Sequence, residues 1–199
     1  MSLPRHRAAL HSTDSFAAAT GVYTIDPVRS TIGFSVRHAV LSDVRGTFDR
    51  FEGLLKLDGS APVRSEAYLS VQSDSLNTAV RERDARLRGP GFLDSAAYPL
   101  MVFGSTRTVS LGGGAFRLAG TLRVKDLVLP LDVDVVFGGV GEDERGQRRV
   151  HFSGSAVLRR WDWGLTRSTA PDPSGVLGGE GMTLALDVSA VRVDHDAAA

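Results

Sequence analysis

The chain has 199 residues, of which 42% are hydrophobic and 23% charged, enough for one substantial folded domain. Its 23 basic and 23 acidic residues cancel, so no whole-molecule field draws it to nucleic acid or anionic lipid. Cysteine is absent, which excludes disulfides, thiolate nucleophiles and cysteine-ligated metals, and three of the five histidines (His6, His11, His195) sit in the tails. The N-terminal stretch "MSLPRHRAALHSTDSFAAATG" lacks an apolar run of signal-peptide length, and nothing approaches the roughly 18 apolar residues of a membrane span. The expectation is a cytoplasmic protein without stable membrane insertion. It has a domain over residues 21–193, a disordered tail over 1–20 and another over 194–199.

From residue 31 onward the pattern is strand-like. "STIGFSVRH" places Ile32, Phe34, Val36 and His38 on one face, with Arg37 on the other. On either side of the charged, histidine-bearing turn that follows, large apolar residues recur at every second position. "FEGLLKLDG" alternates through Gly53, Leu55 and Leu57 and turns at Asp58-Gly59. "EAYLSVQSDSL" offers Ala67, Leu69 and Val71. The next segment, "NTAVRERDARLRGPG", reads as a short helix, with Thr78 as N-cap and a stop at Gly89-Pro90. Its arginines 81, 83, 86 and 88 are either a nucleic-acid patch or, with Glu82 and Asp84 interspersed, a solvated face; the second reading is favoured. Asp84 reads as a cap or an arginine partner.

Strands resume at "YPLMVFGSTR", which contains Phe103. "AFRLAGTLRV" has Phe116, Leu118, Gly120, Leu122 and Val124 in phase. "LPLDVDVVF" has Leu129, Leu131, Val133, Val135 and Phe137 opposite Asp132 and Asp134. "VHFSGSAVL" aligns Val150, Phe152, Gly154, Ala156 and Leu158, and "MTLALDVSAVRV" aligns Met182, Leu184, Leu186, Val188 and Ala190. These are eight one-sided strands, joined by polar and glycine-rich turns such as "GGG" at 112–114. Such strands close as a sandwich or as a barrel. Gly33, Gly53, Gly120 and Gly154 lie inside good strands, where bends or close approaches require them, and this favours an antiparallel barrel. Its small inward residues either leave a cavity or taper a solid core.

"YTIDPVRSTIGFSVRHAVLSDVRGTFDRFEGLLKLD" resembles the opening of the YceI-like family, a lipocalin-like group of isoprenoid-binding barrels. The likeness continues through "RERDARLRGPGFLDSAAYP", "LAGTLRVKDLVLPLDVDVVF" and "DWGLTR…GVLGGEGMTLALDVSAVR", covering about residues 22 to 193. The resemblance implies an all-β fold, an eight-stranded antiparallel lipocalin-like barrel with one short flanking helix. It implies a lumen holding the tail of a polyisoprenoid or isoprenoid quinone as ligand, with no separate cofactor, metal or catalytic set. It also allows a homodimer. The chain departs from the family in its "KDLVLPL" hairpin, greasier than the usual polar turn, and in the signal that many relatives carry.

The residues expected to face a lumen ligand are Phe34, Val36, Phe48, Phe51, Leu55, Leu69, Phe103, Phe116, Leu118, Val133, Val135, Phe152 and Leu184. Each is equally a core residue in its own right. His38, Trp161 and Trp163 are candidates for a head-group rim, against a plain structural role for each, while Asp162 reads as a turn residue. Two other classes are weighed. An enzyme would use His38 as base, oriented by Asp43 or Asp49, but no nucleophile signature, phosphate loop or paired metal spacing accompanies them. A filled barrel would act through its surface as an interaction or stress-related protein.

Overall fold

The computed structural model describes residues 16–36, 44–165 and 181–193. The alternating stretches form strands β1 (Gly21–Ile25), β2 (Thr31–Val36), β3 (Val44–Phe48), β4 (Phe51–Leu57), β5 (Glu66–Gln72) and β6 (Leu76–Asn77). They continue with β7 (Leu100–Gly112), β8 (Ala115–Val124), β9 (Leu127–Glu142), β10 (Arg148–Arg159) and β11 (Gly181–Arg192). All belong to one antiparallel sheet in the order β1-β4-β5-β7-β8-β9-β10-β11-β2-β3-β6, and β1 also pairs with β11. That last pairing joins the ends of an eight-membered circle. The sheet is therefore a barrel, not a sandwich.

The three remaining strands extend staves of the same circle. β1 and β2 lie one after the other along a single edge of β11, Ile25 opposite Ala190 and Thr31 opposite Asp187. β3 and β4 run beside them, with Phe48 opposite Ile32 and Leu54 opposite Thr24. β6 continues β5 in the same way, Leu76 facing Phe48. Eight staves result, three of them interrupted. The first break, at Asp26–Ser30, is held by Asp26 N–H donating to the Ser189 carbonyl and Ser189 N–H to Ser30 Oγ, both at 2.9 Å.

Side chains alternate across these staves because strand geometry has a period of two. β4 shows the result most clearly: Phe51, Gly53, Leu55 and Leu57 are buried, and the intervening residues are exposed. The charges fall outside, where Arg117 Nε and Nη2 donate to the two Asp134 carboxylate oxygens at 2.6 and 2.8 Å across β8 and β9. Close approach explains three of the four in-strand glycines. A Cβ on Gly53 would lie 2.6 Å from Ile25 Cδ1, and one on Gly154 2.9 Å from Val135 Cγ1; at Gly120 it would strike the Gly104 carbonyl. Gly33 differs from that expectation, since a Cβ there would meet only ordinary contacts at 3.5 Å.

Helix α1 (Arg81–Arg88) lies over one end of the barrel, but Thr78 is not its N-cap. Val80 occupies that position without a side-chain bond. Asp84 instead reaches back from the helix to accept from Thr78 N–H, at 2.9 Å, and from the Thr78 hydroxyl. The cap is inverted: the carboxylate lies inside the helix and holds the strand that precedes it. Arg83 donates to Thr78 Oγ1 and O, and Arg88 to the Leu76 carbonyl. These two arginines anchor the helix to β6, which removes them from any phosphate-binding patch.

The N-terminal expectation is corrected at residues 16–20. Phe16–Ala19 form a 3₁₀ turn, and Ala19 is fully buried. Arg148 Nη2 donates to the Ala18 carbonyl at 2.6 Å, and Gly59 N–H to Thr20 Oγ1 at 2.9 Å. Gly59 has to be glycine, because a Cβ would overlap the Ala17 carbonyl.

Candidate functional site

The inward faces of the staves enclose a lumen of about 170 Å³, counted as the space open to the centre of a water molecule. One water needs about 10–15 Å³ by that measure, so the space holds on the order of ten such groups. Eleven of the thirteen residues expected to face it line its wall: Phe34, Phe48, Leu55, Leu69, Phe103, Phe116, Leu118, Val133, Val135, Phe152 and Leu184. Val36 and Phe51 are buried but lie outside that lining. Their phase is inward, and they belong to the packed core and not to the lumen wall.

Segments outside the ladder supply the rest of the enclosure. At the helix end, Phe92 and Leu93 of the loop after α1 and Leu165 beyond β10 line the lumen. The loop is pinned by Leu93 N–H to the Leu87 carbonyl and by the Tyr98 hydroxyl to the Asp126 carboxylate. At the opposite end stands Phe16, whose ring lies 4.9 Å from Phe116, 5.2 Å from Phe137 and 6.5 Å from Phe152. Alternation cannot find these residues, because they belong to no strand. The available signals are adjacent apolar residues in a polar loop, "GFLD", and the lone aromatic of "SFAAA".

His38, Arg37 and Asp43 lie outside the described residues. Trp163 is buried, with Nε1–H donating to the Leu122 carbonyl at 3.3 Å, whereas Trp161 is 60% exposed. Neither tryptophan lines the lumen. Trp163 borders an outer cleft with Pro130, Asp132, Val157 and Arg159, where β9 and β10 diverge beyond the Asp134–Ser155 pair. Asp49 accepts from Thr47 Oγ1 at 2.7 Å and from Asn77 Nδ2 at 2.9 Å, which fixes it in a turn.

Ionisable groups are almost excluded from the lining. Glu66 is the single carboxylate among the described lining residues, and it faces Lys56 at 3.9 Å on the exterior. Thr108 Oγ1 donates to the Ser65 carbonyl at 2.7 Å, so its hydroxyl is satisfied within the wall. The described part of the lumen therefore gathers no acid, base or nucleophile around one point. It presents an apolar interior suited to a ligand segment that makes no hydrogen bonds.

A largely buried electrostatic cluster lies outside the lumen. Arg149 Nε donates to Asp143 and Nη1 to Asp26, both at 2.7 Å, tying the β9–β10 hairpin to the break between β1 and β2. The hydrogen bond from Arg149 holds the Asp143 carboxyl down to about 2, against some desolvation and with help from the Gln147 and Arg145 N–H groups. Burial works against ionisation of Asp26, but its bonds from Arg149 and Val28 N–H outweigh this and lower it. This cluster is a structural latch.

A model of the YceI-like domain matches residues 23–190. A UPF0312 protein of Vibrio cholerae is 31% identical over 152 residues, spanning 75% of this chain and 80% of the relative. Burkholderia cenocepacia BcnA has the same fold, with a TM-score of 0.72 at 16% identity, covering 83% of this chain and 98% of that one. A polyisoprenoid binding domain from Saccharophagus degradans, implicated in plant cell wall breakdown, shares it too. Its TM-score is 0.61 at 15% identity, over 86% of this chain and 98% of the other. A closed ring of eight staves, the short helix over one end, and a domain match from the first strand to the last make this chain a member of the YceI-like family.

Proposed function

We propose that the protein holds the apolar tail of a long amphiphile, a polyisoprenoid or the side chain of an isoprenoid quinone, as a carrier or store and not as an enzyme. The observation that supports this reading is the lumen, lined by aliphatic and aromatic side chains around the barrel and unfilled by them. Such a tail has nothing to hydrogen-bond, so apolar area removed from water governs its binding. At about 0.8 kcal/mol per buried CH₂, a few isoprene units supply gross energy on the order of 10 kcal/mol. Ordering a flexible chain cancels much of that, which still leaves micromolar binding within reach. The structural kinship with a polyisoprenoid binding domain supports the same ligand class.

Organic extraction of the purified protein followed by mass spectrometry tests the reading. A stoichiometric prenyl lipid is the expected result; an empty barrel that cannot be loaded favours the filled-barrel interaction protein. Two variants sharpen the test. Phe116→Asp places a carboxylate against Phe16 and the lumen, which should abolish retention and lower stability by several kcal/mol. Ala156→Leu fills lumen space from a buried small residue and should reduce retention at least tenfold while the melting temperature is held or raised. Undiminished retention in Ala156→Leu would place the ligand elsewhere.

A further inference from the structure

We infer that Phe16 is the floor of the lumen and sets the length of tail the barrel accepts. The inference rests on the tail-binding reading, in that it needs a chain inside the barrel, and adds to it a residue that selects among chains.

At this end the stave residues Tyr23, Val140, Val150 and Ala190 are packed and lie outside the lining, so the lumen stops short of them, with Phe16 and Pro62 bordering it. β8 begins at Ala115 and β9 ends at Glu142, and the inward rings nearest these termini are Phe116, Phe137 and Phe152. Phe16 packs against all three and itself lines the lumen, so its ring occupies volume that a tail would otherwise enter. It reaches that position from outside the ladder. The bonds that hold the turn and its exit include Arg148 to the Ala18 carbonyl and Gly59 N–H to Thr20 Oγ1. Ala19 is buried without residual exposure, and the space for Ala17 exists only because residue 59 lacks a side chain.

A stopper held behind the ring acts as a fixed boundary. A rigid aromatic has two rotatable bonds and loses little freedom when it packs, which suits it to mark a depth. Apolar contact alone discriminates weakly, by about tenfold to two-hundredfold per methylene that does not fit. The ring should therefore give a graded cut-off in chain length and not an absolute one.

The test measures dissociation constants for a ladder of prenyl alcohols (geraniol, farnesol, geranylgeraniol and longer) and a parallel ladder of straight-chain alcohols. The proteins compared are wild type, Phe16→Ala, Phe16→Trp and Gly59→Ala, with thermal melts on each. The expected result is that the best-bound length rises by at least one five-carbon unit in Phe16→Ala and falls in Phe16→Trp. In Gly59→Ala, which displaces the turn while keeping Phe16, it should rise as in Phe16→Ala. An unchanged length optimum in all variants, with wild-type-like melts, overturns the inference. If only straight-chain alcohols bind and their optimum shifts in the same order, the floor stands and the prenyl reading falls. If no protein in the set binds either ladder, both fall.

Discussion

Arg149 is a nearly buried guanidinium shared between two carboxylates, and its consequence is a stability that depends on acid. Asp143 and Asp26 both titrate below the ordinary carboxylate value when folded. A carboxylate lowered in this way stabilises the fold fully above its unfolded value, near 3.9, and loses that contribution as pH falls through the folded value. For Asp143 the loss therefore lies between roughly pH 4 and pH 2. Asp143→Asn should melt lower than wild type at pH 7, because Arg149 keeps a weaker partner, and the two curves should converge toward pH 2. Melting temperature against pH checks this; a constant gap across the range would deny the latch its ionic character. None of this was legible in the sequence, because Asp26 and Arg149 are 123 residues apart and only the closed barrel brings them together.

The hairpin between β8 and β9 carries a second testable strain. It turns through Lys125 and Asp126, and Lys125 adopts a positive φ of 54°. A lysine in that region costs about 1 kcal/mol or more, whereas asparagine tolerates it. Lys125→Asn should raise stability by about 0.5–1 kcal/mol without altering ligand retention, measured by denaturant unfolding and loading. The three-glycine turn at 112–114 shows the opposite case: all three residues have positive φ, and the sequence announces them. Elements of this kind mark what could be read in advance. Alternation revealed the inward phase of the long strands, from Phe116 to Val124 and from Met182 to Ala190, because burial on one face leaves a period of two. It missed β1, which is short and ends at a break, and β3, five residues set between a charged turn and the start of β4. It also misplaced the helix cap, since Thr78 and Asp84 have exchanged the usual roles. The lumen wall followed from phase, while its ends did not. Phe16, Phe92, Leu93 and Leu165 reach the lumen from segments that obey no strand periodicity.

At the scale of the whole molecule the fold is a circle made of neighbouring hairpins with a single long-range closure. β4, β5 and β7 through β11 can pair in succession as each new strand follows the last, but β6 turns back to β3, and β1 and β2 must find β11 across nearly the whole chain. All-β domains, whose strand pairings reach well beyond local contacts, fold in milliseconds to seconds, and helical domains of similar size fold far faster. Refolding from denaturant, followed by tryptophan fluorescence, should therefore show its main phase in that slower range, with Trp163 reporting late because its partner Leu122 lies on another stave. A microsecond main phase would contradict closure as the limiting event.

The pairing of first strands with last also bears on synthesis. On the ribosome, the early strands emerge with no β11 to receive them, and the oily side of every hairpin stays unroofed until translation passes residue 192. A nascent chain in that state invites holdase capture, and an arrest before β11 is made would leave an open sheet with two bare edges, prone to clump.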